Sequence, residues 1–406
     1  MTTTSPPTTR TSADPTPSEG VVRLGIVGLG AQGSAYAHFI AEGMVPHMRL
    51  GAFCDTDPAA LDRALARHPG VPTYATLDAL LTSGDVDAVI TCIPHYDHPE
   101  AAIASLEAGL PTLVEKPAAV HTRQVRRMND VAAAHPEVPF AIMFNQRNNP
   151  LYQRIKAIVD GGEIGEVLRS SWIITTWWRP QGYYEQSAWR ATWGGEGGGV
   201  LVNQAPHQLD LWQWICGVPQ SVFAKAGFGF RRDIAVEDEV TALADYGDGR
   251  TGTFVTCTHD LQGTDRLEIL GTAGKIVVEG SKTATVHRYS KPEKEISDSV
   301  DTAGARALMT GDTSVLDGVV STEVIEDTSP WGAQHAGVLE NFALHVLTGS
   351  ELLAPGSDGI HGVRLANAIH LSAWTGREVP LDLDEEAYLA ELNRRIADEG
   401  QYPQES

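Results

Sequence analysis

The sequence predicts an α/β protein in which a doubly wound parallel sheet is followed by an α+β domain built on a mostly antiparallel sheet. Up to residue 145, short apolar runs alternate with stretches of helical periodicity, as they do in parallel sheets with crossover helices. After residue 150 this alternation stops, and β-prone runs follow one another instead. With 406 residues, the chain is also long enough for two cores.

Composition and charge exclude several classes of function. The chain carries 30 Lys and Arg against 52 Asp and Glu, a formal net charge of −22, which disfavours nucleic acids and anionic membranes as partners. We expect neither a membrane span nor a secretory signal, because no run is apolar and long enough for either. The four cysteines lie far apart and form no C-x-x-C pair, so we expect a cytoplasmic protein without a disulfide framework.

Four segments are predicted along the chain. Residues 1–20 are rich in Thr, Ser and Pro and should form a disordered tail. Residues 21–145 form the parallel-sheet domain, residues 146–385 form the second domain, and residues 386–406 form a charged C-terminal tail. We expect one face of the antiparallel sheet to be free of helices, so that it can pair with another subunit.

A nucleotide-binding turn follows the first predicted strand. The run LGIVGLGAQG contains G-x-G-x-x-G, in which Gly28 permits the tight turn, Gly30 admits a pyrophosphate and Gly33 lets the next helix pack closely. The pyrophosphate would lie on the amides at the start of that helix, where Ala31 and Gln32 stand. These residues predict a Rossmann domain that binds a dinucleotide.

Asp55 strengthens this interpretation. It follows the second predicted strand, 22 residues after Gly33, near the spacing from which an acidic residue reaches the adenosine ribose hydroxyls. A carboxylate there repels a 2′-phosphate, so we expect NAD in preference to NADP. The alternative is a glycine-rich structural turn followed by an Asp that caps the next helix.

The carboxyl ends of the parallel strands should converge on the cofactor. Strands are predicted at 23–27, 50–54, 87–93, 112–115 and 140–144, with helices at 34–42, 58–68, 99–108 and 120–134. The strand-end segments therefore supply the remaining cofactor contacts, which we assign to Pro94, His98, Glu115, Lys116 and Asn145.

The second domain begins with a helix and a long β-prone run. Helices are predicted at 151–159, 200–215, 335–347 and 362–374, and strands at 167–178, 221–230, 239–246, 251–258, 267–270 and 275–279. A Gly-Asp-Gly hairpin turn at 247–249 joins two of these strands. Residues 289–327 are polar and receive no assignment.

Lys116 and His207 are the candidate catalytic residues. The Lys116 ammonium could reach both a cofactor ribose and a substrate hydroxyl, and a solvated turn residue is the alternative. A neutral His207 can take the proton of an alcohol as hydride leaves the carbon, and a buried, structurally satisfied histidine is the alternative. Asn203 and Asp210 would share a helix face with His207, where Asn203 could orient the imidazole. Pro206, however, indicates that the regular helix begins there.

An aromatic segment between residues 177 and 193 is expected to line the substrate site. Aromatic rings stack on the C–H faces of sugars, and arginines donate paired hydrogen bonds to hydroxyls or carboxylates. The residues assigned to the substrate are Arg147, Trp178, Arg179, Tyr184, Trp189 and Arg190, together with Asn203 and His207. Many of the aromatic side chains could instead belong to the core. No histidine pair has metal-ligand spacing near a carboxylate, so no metal site is predicted.

With these motifs, the chain resembles the Gfo/Idh/MocA family of nicotinamide-dependent sugar and cyclitol oxidoreductases. The resemblance runs from about residue 21 to about residue 381. It is strongest in the glycine-rich turn, in Glu115-Lys116-Pro117, in Asn145-Gln146-Arg147 and in the stretch from Gly197 to Asp210. It implies a Rossmann domain, a second domain with a large open sheet, assembly into homodimers or homotetramers, and Lys116 with His207 as the catalytic pair.

One departure from the family affects the expected mechanism. Many members carry Asp where this chain has Asn203, so His207 would have to act as the base while Lys116 polarises the hydroxyl. The expected reaction is the reversible oxidation of a secondary ring hydroxyl of a sugar, glycoside or cyclitol to a ketone. One alternative is an enzyme that recycles bound NAD while it cleaves or eliminates through a transient keto-sugar. Another is a non-catalytic, nucleotide-responsive sugar sensor.

Overall fold

The computed structural model describes residues 20–405. The predicted N-terminal tail at 1–20 therefore lies, apart from Gly20, outside the described residues. Two sheets, of six and nine strands, organise the described chain. Within residues 20–405, no helix has both the length and the apolar character needed to cross a membrane.

The first sheet is entirely parallel, as predicted. Its strands are β1 (Val22–Val27), β2 (Met48–Cys54), β3 (Thr73–Tyr74), β4 (Ala88–Thr91), β5 (Thr112–Val114) and β6 (Phe140–Ile142), and its helices are α1 (Ala31–Ala41), α2 (Pro58–Arg67), α3 (Leu77–Leu81), α4 (His98–Glu107) and α5 (Thr122–Ala134). The sequence pattern does not reveal β3 or α3, because two and five residues are too few to show a period.

The strand order of this sheet is β3-β2-β1-β4-β5-β6. β1 is central and pairs with β2 on one side and with β4 on the other. Because the order reverses between β1 and β4, the carboxyl ends of these strands open the crevice in which doubly wound folds bind nucleotides. Leu24, Ile26 and Ile90 are fully buried, as the side chains of strands covered on both faces must be.

The second sheet and its helices follow the first domain along the chain. The helices are α6 (Pro150–Asp160), α7 (Gln181–Tyr184), α8 (Pro206–Cys216), α9 (Glu293–Ser299), α10 (Thr302–Met309), α11 (Ala333–Thr348), α12 (Gly359–Thr375) and α13 (Glu385–Glu399). The strands are β7 (Val167–Ile174), β8 (Ser221–Phe228), β9 (Glu237–Asp245), β10 (Thr251–Cys257), β11 (Asp265–Gly271), β12 (Gly274–Glu279), β13 (Thr283–Tyr289), β14 (Val320–Glu326) and β15 (Val379–Pro380).

This sheet is mostly antiparallel, as predicted. Its order is β14-β13-β12-β11-β7-β10-β9-β8-β15, and only β7 and β10 pair in parallel. The turn predicted at 247–249 joins β9 to β10. The unassigned segment 289–327 contains α9, α10 and β14, which is an edge strand.

Helices cover one face of the second sheet and leave the other open. Trp172 and Phe254 of the sheet are fully buried against Trp212 of α8, and the rings of Trp212 and Phe254 stack with centroids 5.6 Å apart. On the opposite face, Ile173 follows Trp172 and Phe223 pairs with Leu243 across β8 and β9. These three side chains are 39–47% exposed. The sheet is therefore open on this face, as expected.

Three segments differ from their sequence predictions. α8 begins at Pro206 rather than at residue 200, because proline fits the first turn of a helix but not its interior. Residues 386–406 are not simply a charged tail, since α13 buries Tyr388 and Leu392 in the core of the second domain. α11 falls within the range assigned to the second domain, yet its Phe342 packs in the core of the first sheet.

Candidate active site

The glycine-rich turn joins β1 to α1 with the geometry that a dinucleotide requires. Gly28 has a φ of +91°, and a Cβ there would lie 2.4 Å from the carbonyl oxygen of Cys92. A Cβ on Gly33 would lie 2.0 Å from the carbonyl oxygen of Gly28, so only glycine lets α1 pack this closely. Gly30 is exposed and no atom lies within 4 Å of its Cβ position, which leaves an open cradle before the first amides of α1.

Asp55 lies beside this turn, directly after β2. One of its carboxylate oxygens accepts a hydrogen bond from the Leu29 amide at 2.7 Å, and the other accepts one from the Asp57 amide at 2.9 Å. The carboxylate is thereby fixed next to the turn, yet it remains partly exposed. Ala31 and Gln32 occupy the first turn of α1, and Ala31 is exposed. The structure thus brings together the glycines, the helix start and the acid that the sequence singles out.

Lys116 lies after β5, and its peptide bond to Pro117 is cis. Its ammonium donates a hydrogen bond to the backbone carbonyl of Asn203 at 2.9 Å, which links the first sheet to the second domain. The buried Glu115 carboxylate accepts from the Lys116 amide at 2.8 Å and from the Tyr36 hydroxyl. Burial lowers the pKa of Lys116 and raises the pKa of Glu115, and the charge of each residue opposes the shift of the other.

His207 lies in the first turn of α8, close to Lys116. Its Nδ1 is buried and has no hydrogen-bond partner among residues 20–405. Burial lowers the pKa of His207 well below its ordinary value, and the positive charge of Lys116 lowers it further. The imidazole is therefore neutral at physiological pH and can accept a proton.

The helix face that Asn203 is expected to share with His207 does not form, because α8 begins only at Pro206. Its side-chain amide donates to the carboxylate of Glu196, a residue to which the sequence patterns assign no role. Glu196 is 2% exposed and lies in the loop from Gly194 to Gly199. A single acidic residue among five glycines is the sequence signal that could have identified it.

Two histidines border the turn that carries Lys116. His95 Nδ1 lies 3.0 Å from the carbonyl oxygen of Glu196, and His98 Nδ1 lies 2.8 Å from that of Pro117. Burial is the main cause that lowers the pKa of His95 to about 3 and that of His98 to about 4. Pro94, by contrast, is exposed. His98 thus holds the Lys116 turn in this structure, and its predicted contact with the cofactor stays a prediction.

Asn145 is buried at the end of β6. Its Nδ2 lies 3.0 Å from Nε2 of His335, whose pKa burial lowers to about 4. Its Oδ1 is buried and has no partner in the part of the chain that the structure describes. This oxygen can therefore accept a hydrogen bond from a ligand bound at the carboxyl edge of the first sheet.

The side chains around the crevice fit an NAD molecule. Three groups lie at the carboxyl edge of the first sheet. They are the cradle at Gly30 in the turn after β1, the partly exposed carboxylate of Asp55 after β2 and the unpartnered amide oxygen of Asn145 after β6. That edge is where doubly wound sheets hold dinucleotides. These residues would hold the cofactor, with Lys116 and His207 beside it.

Arg147, predicted to bind the substrate, is committed to two carboxylates. Its guanidinium donates to Asp210 through Nε at 2.9 Å and through Nη2 at 2.7 Å. It also donates to Asp358 through Nη1 at 2.6 Å. Arg147 and Asp210 are 3% and 2% exposed, so the pair is part of the protein interior. These contacts contradict the assignment of Arg147 to the substrate, and they also occupy Asp210.

Arg190 lies next to Glu196 and Trp189 lies next to His95, and the assignment of both residues to the substrate stays a prediction. The Arg190 guanidinium donates to the Tyr183 hydroxyl at 2.7 Å and approaches the Glu196 carboxylate at 3.5 Å. It also stacks over the Trp189 ring at 5.0 Å. The Trp189 ring meets the His95 ring edge-on, with centroids 6.0 Å apart.

The other aromatic-segment residues assigned to the substrate are placed differently. Tyr184 belongs to the second-domain core and donates to the Thr258 hydroxyl at 2.9 Å, which contradicts its assignment. Trp178 is 41% exposed, and Arg179 lies over the Tyr183 ring. Trp178 and Arg179 therefore remain predicted substrate contacts, whereas Tyr184 is a structural residue.

One cluster of potential metal ligands lies elsewhere in the described residues. Glu239 of β9, Cys257 of β10 and His259 bring their ligand atoms within 4.8 Å of one another. His259 Nε2 and a Glu239 carboxylate oxygen are already 2.9 Å apart. The sequence predicts no metal site, and this cluster is the place where that prediction can be tested.

Two family models match the chain, one in each of its two parts. Residues 22–142 match the family described as "Oxidoreductase family, NAD-binding Rossmann fold", and residues 152–277 match "GFO/IDH/MocA C-terminal domain". The chain is 24% identical to inositol 2-dehydrogenase of Rhizobium meliloti (strain 1021) over 370 residues, which cover 89% of this chain and 99% of that protein. It is also 24% identical to levoglucosan dehydrogenase of Pseudarthrobacter phenanthrenivorans over 71% of this chain and 80% of that protein.

Solved structures show the same fold. The WlbA dehydrogenase from Bordetella pertussis, in complex with NADH and UDP-GlcNAcA, matches with a TM-score of 0.72 at 26% identity and covers 90% of this chain and 100% of that one. A levoglucosan dehydrogenase in complex with NADH and levoglucosan matches with a TM-score of 0.73 at 19% identity, over 89% of this chain and 99% of that one. At 19% identity, the match to the levoglucosan dehydrogenase structure shows a shared fold only.

Proposed function

The chain belongs to the Gfo/Idh/MocA family of NAD-binding oxidoreductases, and from that premise we propose that it oxidises a secondary ring hydroxyl of a sugar, glycoside or cyclitol to a ketone. The observation that carries the proposal is the placement of Lys116 close to His207 at the crevice of the first sheet. This pair joins a cation that can polarise a hydroxyl to a neutral imidazole that can take its proton. The names of the relatives, which include inositol and levoglucosan dehydrogenases, support a polyhydroxylated ring as substrate.

The reaction breaks one C–H and one O–H bond and forms one C=O bond. The hydride that leaves the ring carbon needs an acceptor, which NAD⁺ would supply when bound at the glycine-rich turn. The Lys116 ammonium has three donors, of which one is used on the Asn203 carbonyl, so it can donate to the substrate oxygen as negative charge develops there. The neutral His207 accepts the hydroxyl proton and later releases it to solvent.

Trp189 and Arg190 would form one wall of the substrate site. The Trp189 indole offers a face or edge to the C–H groups of a ring, and the Arg190 guanidinium offers donors to its hydroxyls. Arg190 Nε is buried and has no partner among residues 20–405, so it is a donor that a substrate oxygen could complete.

We also propose that the open face of the second sheet pairs with a second copy of the chain. Ile173, Phe223 and Leu243 stand on that face and expose large apolar surfaces. Light scattering should give the mass of a homodimer or homotetramer, and Leu243→Glu should lower it. A monomeric wild-type protein would contradict this proposal.

The test of the proposed reaction is the absorbance of reduced nicotinamide. Wild-type protein is supplied with NAD, or with NADP, and with a panel of monosaccharides, glycosides and inositols. We expect the signal to grow with at least one compound and to disappear in Lys116→Ala and in His207→Ala, whereas Lys294→Ala, whose side chain is 83% exposed, should behave as wild type. A flat trace with substrate consumed would favour a recycled cofactor, and no consumption at all would favour a sensor.

A further inference from the structure

Glu196 is a buried carboxylate that the reaction just described does not use. Its Oε1 accepts from the Asn203 side-chain amide and lies 3.5 Å from Nη1 of Arg190. Its Oε2 accepts from the Ala191 amide at 2.7 Å. A buried carboxylate with this many donors is held in one orientation, because each oxygen is fixed by a separate group.

Asn203 connects this carboxylate to Lys116. Its side-chain amide is held by Glu196, while its backbone carbonyl accepts the hydrogen bond of the Lys116 ammonium at 2.9 Å. One residue therefore contacts the buried negative charge with its side chain and the partly buried positive charge of Lys116 with its main chain. Any movement of Asn203 would displace the acceptor that holds the ammonium.

The loop that carries Glu196 can adopt its path only because it is rich in glycine. Gly197 has a φ of +85°, and a Cβ there would lie 2.3 Å from Cγ1 of Val120. A Cβ on Gly199 would lie 2.0 Å from the carbonyl oxygen of Glu237. The Glu237 carboxylate in turn accepts from the Gly199 amide at 2.9 Å. The glycines thus bring the loop against both domains and fix the position of Glu196.

We propose that Glu196 is a positioning residue for Lys116: it fixes the side chain of Asn203, whose backbone carbonyl holds the Lys116 ammonium, and it adds a buried carboxylate to that of Glu115. The proposal rests on the proposed function, in which Lys116 acts as a cation. It assigns Glu196 no contact with the substrate.

The charges around Lys116 predict the direction in which its pKa should change when Glu196 is altered. Burial lowers the pKa of Lys116, the negative charges of Glu115 and Glu196 raise it, and Arg190 lowers it. Four histidines also face Lys116, namely His95, His98, His207 and His335. Their pKa values are lowered, so they are neutral near pH 7 and leave the two carboxylates as the groups that oppose the effect of burial. Removing the charge of Glu196 should therefore move the loss of the Lys116 proton to lower pH.

The experiment exchanges the carboxylate and the amide. Glu196→Gln places two amides in contact and removes the charge, and Asn203→Asp places two carboxylates in contact. The double variant E196Q/N203D restores a carboxylate–amide pair with its direction reversed and its charge moved to position 203. We expect each single variant to lower kcat by roughly tenfold or more with a smaller change in KM, and the double variant to recover most of that loss. Glu399→Gln, which alters a carboxylate that holds the Trp193 and Gly194 amides of the same loop, is the matched control.

A second measurement does not depend on turnover. The chain has seven lysines, and trace acetylation followed by mass spectrometry gives the pH dependence of each amine. We expect the Lys116 titration to move to lower pH in Glu196→Gln, to return toward wild type in the double variant, and to stay unchanged in Glu399→Gln. An unchanged Lys116 titration in Glu196→Gln would overturn the proposal, and so would a double variant no better than the worse single one. If wild type oxidises no compound, the titration still decides the role of Glu196, so the two proposals fail separately.

Discussion

The two glycine-rich segments of this chain, the turn at 28–33 and the loop at 194–199, both come close to strand ends of the first sheet, but they are specified differently. The turn depends on its own spacing, because Gly33 packs on Gly28 and Asp55 binds the amide of Leu29. The loop depends on residues that are distant in sequence. It packs on Val120, and Asn203, which follows the loop, binds Lys116, from which it is separated by 87 positions. A motif can be interpreted from sequence when the residues that contact one another stand at a fixed, short spacing. The contacts of the loop are made with residues at no such spacing.

The largest effect on stability should come from breaking a contact between residues that are far apart in the sequence, such as Arg147 and Asp210. Arg147→Met leaves the buried Asp210 without its partner, and breaking a buried pair in this way costs about 3–5 kcal/mol of unfolding free energy. Arg288→Met is the matched control, because Arg288 also binds two carboxylates, Glu163 and Glu323, but at the surface, where the loss should be about 0–1 kcal/mol. Urea unfolding measures both. If Arg147→Met were as stable as Arg288→Met and had a raised KM, Arg147 would be a substrate-binding residue after all.

Two substitutions in the glycine-rich turn should affect stability and cofactor binding separately. Gly33→Ala forces a Cβ onto the Gly28 carbonyl and should cost about 1–3 kcal/mol of stability, as overpacking does. Gly30→Ala meets open space and has an ordinary φ of −65°, so stability should be kept while the Kd for NAD rises roughly tenfold through loss of the cradle. Thermal unfolding and NADH fluorescence give the two readouts. If both variants lose only stability, the turn is structural and binds no dinucleotide.

Much of the first domain could be predicted because its signals are local. The strands of the first sheet are apolar runs bounded by turns, and Gly28, Gly33 and Asp55 take the positions that their spacing indicates. The start of α8 differs from the sequence prediction for a local reason as well. The apolar Leu201 and Val202 extend the helical pattern toward the N-terminus, although they lie in turns that precede Pro206.

The errors at the site concern residues whose partners lie far along the chain. Arg147 resembles a free strand-end cation in the sequence, but its carboxylates stand 63 and 211 residues away. Tyr184 lies in an aromatic run, and only the packing of β10 shows that its hydroxyl is bound to Thr258. Glu196 is acidic and surrounded by glycines, a composition typical of exposed loops, so its burial could not be inferred without the second domain in place.

A partly buried histidine, His335, predicts how the stability of the site responds to acid. His335 has a pKa lowered to about 4, so the unfolded chain, with a value near 6.5, binds its proton first. Its contribution to stability is therefore complete above pH 6.5 and is lost as the pH falls toward 4, by about 1.4 kcal/mol per pH unit. The raised pKa values of Glu115, Glu196 and Asp210 act in the opposite direction, so the effect is measured as a difference between two proteins.

That difference compares wild type with His335→Gln in urea unfolding at several pH values. The wild type should lose stability more steeply than the variant between pH 6.5 and about 4, and the two slopes should coincide above pH 7. Parallel slopes throughout would show that His335 titrates normally, and its burial beside Asn145 would then have no electrostatic consequence.

The smallest effect concerns the choice of cofactor. Asp55→Ala removes the carboxylate beside the turn and should reduce the preference for NAD over NADP by roughly tenfold, because a 2′-phosphate is no longer repelled. Asp57→Ala is the control, since Asp57 caps α2 two residues away and should cost only about 1 kcal/mol of stability without changing that preference. Dissociation constants for NADH and NADPH decide the matter. A preference unchanged in Asp55→Ala would limit Asp55 to holding the Leu29 amide.

Net oxidation that needs Lys116 and His207 is tested by the ratio of NADH formed to ketone formed over many turnovers. With the substrate found in the panel, we expect one NADH for each ketone in wild type, and neither product above background in Lys116→Ala or His207→Ala. The expected loss in each variant is about 10²- to 10⁴-fold, the usual contribution of a general acid or base. Product that accumulates while NADH never exceeds the concentration of enzyme would contradict net oxidation and establish a recycled cofactor.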